Sequence, residues 1–215
     1  MFSIVNPGYR LKYGRGVIGP HEFCGSHGIA GATCPNCRKP LLRLVQLSAL
    51  DPVLAQLGGE TPLLTCWTCD LVQAPYSYRV GANEVKLMEY RRGGAVSDFP
   101  YDAYPLAFPL APALLEPLES EVIAATERVN RGSSTKEDLD RDWDRPRHQV
   151  GGLPIVQSQG GQNPSCPDCG KAMPFLASIA DDNLDARGFT GNSFVQLLFF
   201  VCTSCRVVAA EQDVD

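Results

Sequence analysis

Eight cysteines, Cys34, Cys37, Cys66, Cys69, Cys166, Cys169, Cys202 and Cys205, fall into four Cys-x-x-Cys pairs. No other feature of the 215 residues restricts the fold as strongly. Two cysteines three apart on a tight turn direct both sulfurs to one side of a metal. A second such turn, returned by a β-hairpin, completes a tetrahedral shell. The spacing therefore predicts two sites, Cys34/Cys37 with Cys66/Cys69 and Cys166/Cys169 with Cys202/Cys205, with 28 and 32 residues between the paired turns. Zinc is the expected ion. Iron in a rubredoxin-like site is the metal alternative, since tetrahedral thiolate suits both, and a redox dithiol is the other reading of a single pair. With sulfur in all four positions each site is expected to be structural, with no place left for a reacting water.

The intervening stretches read as strand, loop, strand. In the second unit KAMPFLASIA (171–180) alternates and SFVQLLFFVC (193–202) is aromatic and branched, with a polar, glycine-containing loop at 181–192 between them. In the first unit KPLLRLVQL (39–47) and TPLLTC (61–66) take these places. DPVLAQLGG between them predicts one short helix, with Asp51 as cap, Pro52 in the first turn and Gly58 at the end. CPDCG carries a glycine after its second cysteine, where the turn needs a positive φ; CPNCR puts Arg38 there, which predicts a slightly strained turn.

The similarity extends beyond the cysteines. VIGPHEFCGSHGIAGATCPNC (17–37) and QVGGLPIVQSQGGQNPSCPDC (149–169) open alike, and DLVQAPYSYRV (70–80) and CRVVAAEQDV (205–214) follow as possible third strands. The expected architecture is a β-rich α+β fold with duplicated three-stranded zinc-ribbon-like units, near 17–80 and 150–214, in a pseudo-two-fold arrangement. The division is a first half at 1–92, a proline-rich and helical connector at 93–149 and a second half at 150–215, packed as one unit. The metal would substitute for core in units too small to stand alone. In the connector, residues 93–119 read as extended chain on a surface, and 115–132 as a helix ending at Gly132. Ser134 and Glu137 form a capping box for a further turn.

HQVGGLPIVQSQGGQNPSCPDCGKAMPFLASIADD, followed by LLFFVCTSC, resembles the YwqG-like family of poorly characterised proteins. The resemblance covers about 70 residues and rests on Gly151-Gly152-x-Pro154, the glutamines, Cys-Pro-x-Cys-Gly-Lys, Met173 and Phe175–Leu176. The segment is also similar to chaperones of the programmed-cell-death-two type, which accompany a ribosomal protein. The first copy matches more loosely, since IGPHEFCG lacks the paired glycines. The resemblance implies a β-rich pseudo-symmetric fold and protein binding, with no established enzymatic activity.

The ninth cysteine, Cys24, lies in His21-x-x-Cys24-x-x-His27. A third metal site or a Cys–His nucleophile are the sharp readings, and a glycine-rich loop with a free thiol and solvated histidines is the plain one. His148 reads as a surface or strand-start histidine. No Walker-type phosphate loop is present, no run is long and apolar enough to span a membrane, and the first residues lack the apolar core of a secretory signal. Together with the many unpaired thiols, this predicts a cytoplasmic protein.

Charge narrows the partners. The chain carries −5, but residues 1–92 hold ten Lys and Arg against six Asp and Glu, while residues 93–215 hold nine against eighteen. Nucleic-acid binding wants a basic footprint, so it is disfavoured despite the ribbons. The acidic second half favours a basic protein partner, with Asp138, Asp140, Asp142 and Asp144 as candidates to meet it and Phe99, Tyr101, Tyr104 and Phe108 as candidate interface anchors. The expected function is a non-enzymatic, zinc-stabilised protein-binding protein of chaperone, adaptor or toxin-immunity type. A nucleic-acid-associated zinc ribbon is the first alternative, and an enzyme using Cys24 with His21 or His27 the second.

Overall fold

The computed structural model describes residues 1–69, 71, 75–90, 107–135, 146–154, 163–180 and 195–214. The loop at 181–192, Phe99, Tyr101, Tyr104, Glu137 and the four aspartates at 138–144 lie outside the described residues. Eleven strands form one sheet: β1 (Tyr9–Tyr13), β2 (His21–Phe23), β3 (Leu42–Leu47), β4 (Thr61–Thr65), β5 (Tyr76–Val80), β6 (Val85–Tyr90), β7 (Ala111–Pro117), β8 (His148–Val150), β9 (Phe175–Ala180), β10 (Val195–Cys202) and β11 (Val207–Val214). Their order is β4-β3-β2-β7-β1-β8-β9-β10-β11-β5-β6, and every neighbouring pair is antiparallel. One helix, α1 (Ser120–Asn130), stands with a 3₁₀ turn at Pro52–Leu57. No helix among the described residues is long and apolar enough to cross a membrane.

The central pair is β1 with β7, in register from Tyr9↔Pro117 to Tyr13↔Ala113. On one side follow β2, β3 and β4; on the other, β8, β9 and β10. Each side thus presents a short strand and then the hairpin that carries a cysteine cluster. The match stops at the third strand. After Cys205, β11 turns straight back onto β10, from Cys202↔Val207 to Val195↔Val214. After Cys69, β5 does not return to β4; it pairs with β11, placing Arg79 opposite Val207. The expectation of two like-ordered three-stranded units fails at this strand.

The departure lets the sheet curl into a half-barrel. Tyr76 and Tyr78 reach from β5, near one end of the sheet, to β4 at the other. The Tyr78 hydroxyl donates to the Pro62 carbonyl (2.8 Å) and accepts from the Leu64 N–H (3.0 Å), while the Tyr76 hydroxyl donates to the Leu64 carbonyl (3.0 Å). Beside this seam the Ala30 N–H donates to the Asn83 carbonyl, and the Val85 N–H to the Ala30 carbonyl. The approach is so close that a Cβ on Gly31 (φ 76°) would stand 2.1 Å from the Val85 carbonyl oxygen, so only glycine fits. The core inside the curl is aliphatic and aromatic, with Leu44, Leu63, Tyr78, Phe199 and Val208 inaccessible.

Two further expectations need correction. The proline-rich stretch does not lie wholly on a surface: Ala111–Pro117 is the strand between β2 and β1. Its prolines, Pro112 and Pro117, occupy the second and last positions, which spare the middle of the ladder. Ala113 between them is fully buried. The helix accordingly begins only at Ser120, leaving Leu115 in the strand and Leu118 before the helix; Gly132 (φ 70°) follows its end. His148 does start a strand but is buried, packed against the rings of Phe23 (5.0 Å) and Tyr13 (5.6 Å).

Candidate metal centres

Both predicted sets of cysteines converge. Cys34, Cys37, Cys66 and Cys69 form one group and Cys166, Cys169, Cys202 and Cys205 the other, with the sulfurs of each within 4.8 Å of one another. The spacings Cys34–Cys69 (3.7 Å), Cys37–Cys66 (3.5 Å) and Cys169–Cys202 (3.7 Å) are far beyond a disulfide. They approach the edge, about 3.8 Å, of a tetrahedron with metal–sulfur bonds of about 2.3 Å. Each group could therefore hold a metal ion, and its four-sulfur donor set suits zinc.

The turns that aim the sulfurs are built alike. In one, the Cys34 N–H donates to the Lys39 carbonyl (2.8 Å) and the Arg38 N–H to the Cys34 carbonyl (3.0 Å). In the other, the Cys166 N–H donates to the Lys171 carbonyl (2.8 Å) and the Gly170 N–H to the Cys166 carbonyl (2.8 Å). The lysines shared by the two motifs thus serve here through their backbones. The residue after the second cysteine is left-handed in both, Gly170 at φ 71° and Arg38 at φ 65°, as the sequence predicts. Arg206, after Cys205, is a third such residue at φ 54°, and no glycine signalled it.

Polar groups tune the sulfurs. The Asn36 side-chain amide donates to Cys69 (3.3 Å), the Thr68 hydroxyl to Cys37 (3.6 Å), and the Ser204 hydroxyl lies 3.3 Å from Cys202. A hydrogen bond from Cys34, with others from Thr68 and Cys37, brings the Cys66 thiol down to about 5 against the opposing effect of burial. Burial pushes the Cys202 thiol up, but hydrogen bonds from Ser204, the Cys205 backbone, Cys166 and Cys169 outweigh it and bring it to about 7. Each cluster therefore holds one sulfur already disposed to ionise, as a metal ligand must.

The clusters differ in exposure. Three sulfur residues of the first are buried and Cys37 is partly so. Beside it the Trp67 ring meets the Phe108 ring edge-on at 4.9 Å, so Phe108 is a core residue and not an interface anchor. In the second, Cys166 and Cys202 are buried, Cys205 is partly exposed and Cys169 is exposed.

His21, Cys24 and His27 do not form a site. His21 Nδ1 accepts from the Ser48 N–H (3.0 Å), so its Nε2–H donates to the Asp51 carboxylate (3.1 Å). Asp51 meanwhile caps the 3₁₀ turn by accepting from the Val53 N–H, as expected of it. His27 Nδ1 accepts from the Ile29 N–H and its Nε2–H donates to the Leu41 carbonyl (2.8 Å). Cys24 is buried, and desolvation pushes its thiol up to about 12 despite Arg43 nearby. The glycine-rich loop holds histidines that are structural and a thiol that is inert, where the sequence suggested solvated ones.

A cavity of about 490 Å³ was not foreseen. Glu22 and Arg43, Gln46 and Glu60, and Glu84 line it, with His27 beside them. Arg43 is occupied by the Glu22 carboxylate (2.8 Å) and the Cys24 carbonyl (3.0 Å). Glu60 accepts from Ser48 (2.7 Å) and Gln46 (3.2 Å). Only the polar positions of β3, Arg43 and Gln46, hinted in sequence at a wet face; Glu84 arrives from the β5–β6 turn.

An uncharacterised protein, YpfL of Salmonella typhimurium, is 23% identical to this chain over 181 residues, which cover 83% of the chain and 38% of that protein. The chain thus spans well under half the length of this curated relative. No family model matches the chain. No solved structure matches it at a significant level.

Proposed function

We propose that this chain is a non-enzymatic, zinc-stabilised protein-binding protein, of chaperone, adaptor or toxin-immunity type, that recognises a basic partner. Two structural zinc ions hold the turns of two duplicated hairpin units, one on each side of the β1–β7 pair. The observation that carries the partner's chemistry is the cavity near β3 and the β5–β6 turn. Glu22, Glu60 and Glu84 bring three carboxylates to its wall, and the arginine there is already paired. A lysine or arginine from a partner would find acceptors in it, held on strands that need not rearrange. The resemblance of the second half to the YwqG-like and programmed-cell-death-two-type proteins supports the same reading. So does the chemistry of the clusters, whose four sulfurs leave a filled ion no open position for catalysis.

The test is affinity capture from native lysate with the zinc-loaded chain, in parallel with a triple variant, Glu22→Gln, Glu60→Gln and Glu84→Gln. The expected result is a basic protein retained by the first and lost from the second, with association slowed by salt. Retention of RNA as the sole bound species, or turnover of a small molecule with no protein bound, would overturn the reading.

A further inference from the structure

The two clusters differ in a way that matters for chemistry and not only for stability. We propose that the second cluster is a thiol-oxidation site, at which peroxide converts Cys169 and Cys202 to a disulfide and expels the metal, while the first cluster keeps its own. The proposal rests on the reading that both clusters hold zinc.

Access selects the site. Cys169 is exposed and Cys205 partly so, whereas Cys34, Cys66 and Cys69 are buried. A zinc-bound thiolate remains a nucleophile, and its oxidation follows its exposure. The resolving partner is in place, since the Cys202 sulfur lies 3.7 Å from that of Cys169. The step balances with hydrogen peroxide as oxidant. The Cys169 thiolate attacks one peroxide oxygen, the O–O bond breaks, and hydroxide leaves, giving a sulfenic acid. The Cys202 thiolate then attacks that sulfur, the S–O bond breaks, and a second hydroxide leaves as the S–S bond forms. Two electrons pass from the two sulfurs to the peroxide. Only Cys166 and Cys205 remain as ligands, too few to retain Zn²⁺ against a chelator.

The turns around this cluster also tie the curled sheet together, so the loss would be felt elsewhere. Asp168, between Cys166 and Cys169, pairs with Arg79 of β5 at 2.5 Å. Arg206, next to Cys205, accepts the Val80 N–H on its carbonyl (2.8 Å). Its guanidinium donates to the carbonyls of Glu60 (3.1 Å) and Gly58 (3.4 Å), just before β4. Oxidation would loosen the contacts of β5 and of the approach to β4 together.

The experiment uses the full chain, first shown to contain zinc at both clusters, treated with stoichiometric hydrogen peroxide beside a chromophoric zinc chelator. The expected result is loss of one of the two ions and a fall in mass of about 2 Da for one disulfide. Peptide mapping should join Cys169 to Cys202, and a dithiol with added zinc should restore the starting state. Hydrogen exchange should quicken at Val80 and at 58–60. A Cys24→Ser variant should respond as the parent does, which excludes the lone thiol. Release of both ions together, a first disulfide within Cys34, Cys37, Cys66 and Cys69, or no release at all would overturn the proposal. A chain without zinc before peroxide is added would instead overturn the metal reading.

Discussion

The hydroxyl of Tyr78 lies 2.8 Å from the carbonyl oxygen of Pro62, joining β5 to a strand nine places away in the same sheet. It also accepts from the Leu64 N–H, and the Tyr76 hydroxyl takes the Leu64 carbonyl. Pro62 brings no N–H to this edge, which suits an edge position. Two phenols thus satisfy an edge that would otherwise offer itself to another chain.

Replacing Tyr78 with Phe should therefore cost more than an ordinary buried hydrogen bond. The variant leaves both the Leu64 N–H and the Pro62 carbonyl without their partner, an expected loss of about 1–3 kcal/mol in denaturant unfolding. Tyr76→Phe removes one donor and should cost less. Equal effects, or none, would show that water replaces the hydroxyls.

Elemental analysis of the natively purified chain should find two zinc ions per chain and a colourless solution. Strong chelation should unfold it, because binding energy at a structural site is folding energy. A red, iron-containing sample would reassign the metal.

Cys24→Ala should leave the zinc content unchanged. In the loaded protein the Cys24 thiol, pushed up to about 12 by burial, should alkylate slowly at pH 8. Rapid labelling of Cys24 would contradict its burial.

His148 should contribute to acid sensitivity. Burial, with Arg147 nearby, lowers its folded value to about 3. The unfolded chain, near 6.5, therefore binds the extra proton first, and stability falls as pH drops from about 6.5 towards 3. His21, lowered chiefly by burial, acts with the same sign. His148→Phe, an apolar ring between Tyr13 and Phe23, should flatten the pH dependence between 7 and 5 at saturating zinc. An unchanged slope would remove His148 from the account.

Gly31→Ala should destabilise through its backbone and the close Val85 carbonyl, by about 1–3 kcal/mol. Calorimetry should show the shift without loss of metal.

The parts legible in sequence are those with local causes. The cysteine turns, the hairpins at 42–65 and 175–202, and the Asp51–Gly58 turn follow from spacing, alternation and caps. The strand Ala111–Pro117 was hidden because its prolines signal irregular chain, and only their positions near the ends reconcile them with a ladder. YRLKY and VKLMEY, which became β1 and β6, carry short alternations that become strands only because neighbours cover them. The pairing of β5 with β11, and hence the tyrosine seam and the acidic cavity, depends on contacts between distant segments that no local pattern encodes. The oxidisable cysteine was visible as a ligand, but its exposure was not.

That pairing carries a consequence for birth of the molecule on a ribosome. Arg79 emerges early, yet its ladder partner Val207 is among the last residues made. Until then one edge of β5 has no backbone to meet, and β4 waits equally for the tyrosines that seal it. The nascent chain must carry two open strand edges through most of its synthesis. Contacts so far apart in sequence are slow to close. The metal in the first cluster, whose four ligands are complete by Cys69, would then be the earliest fixed point from which the rest can assemble.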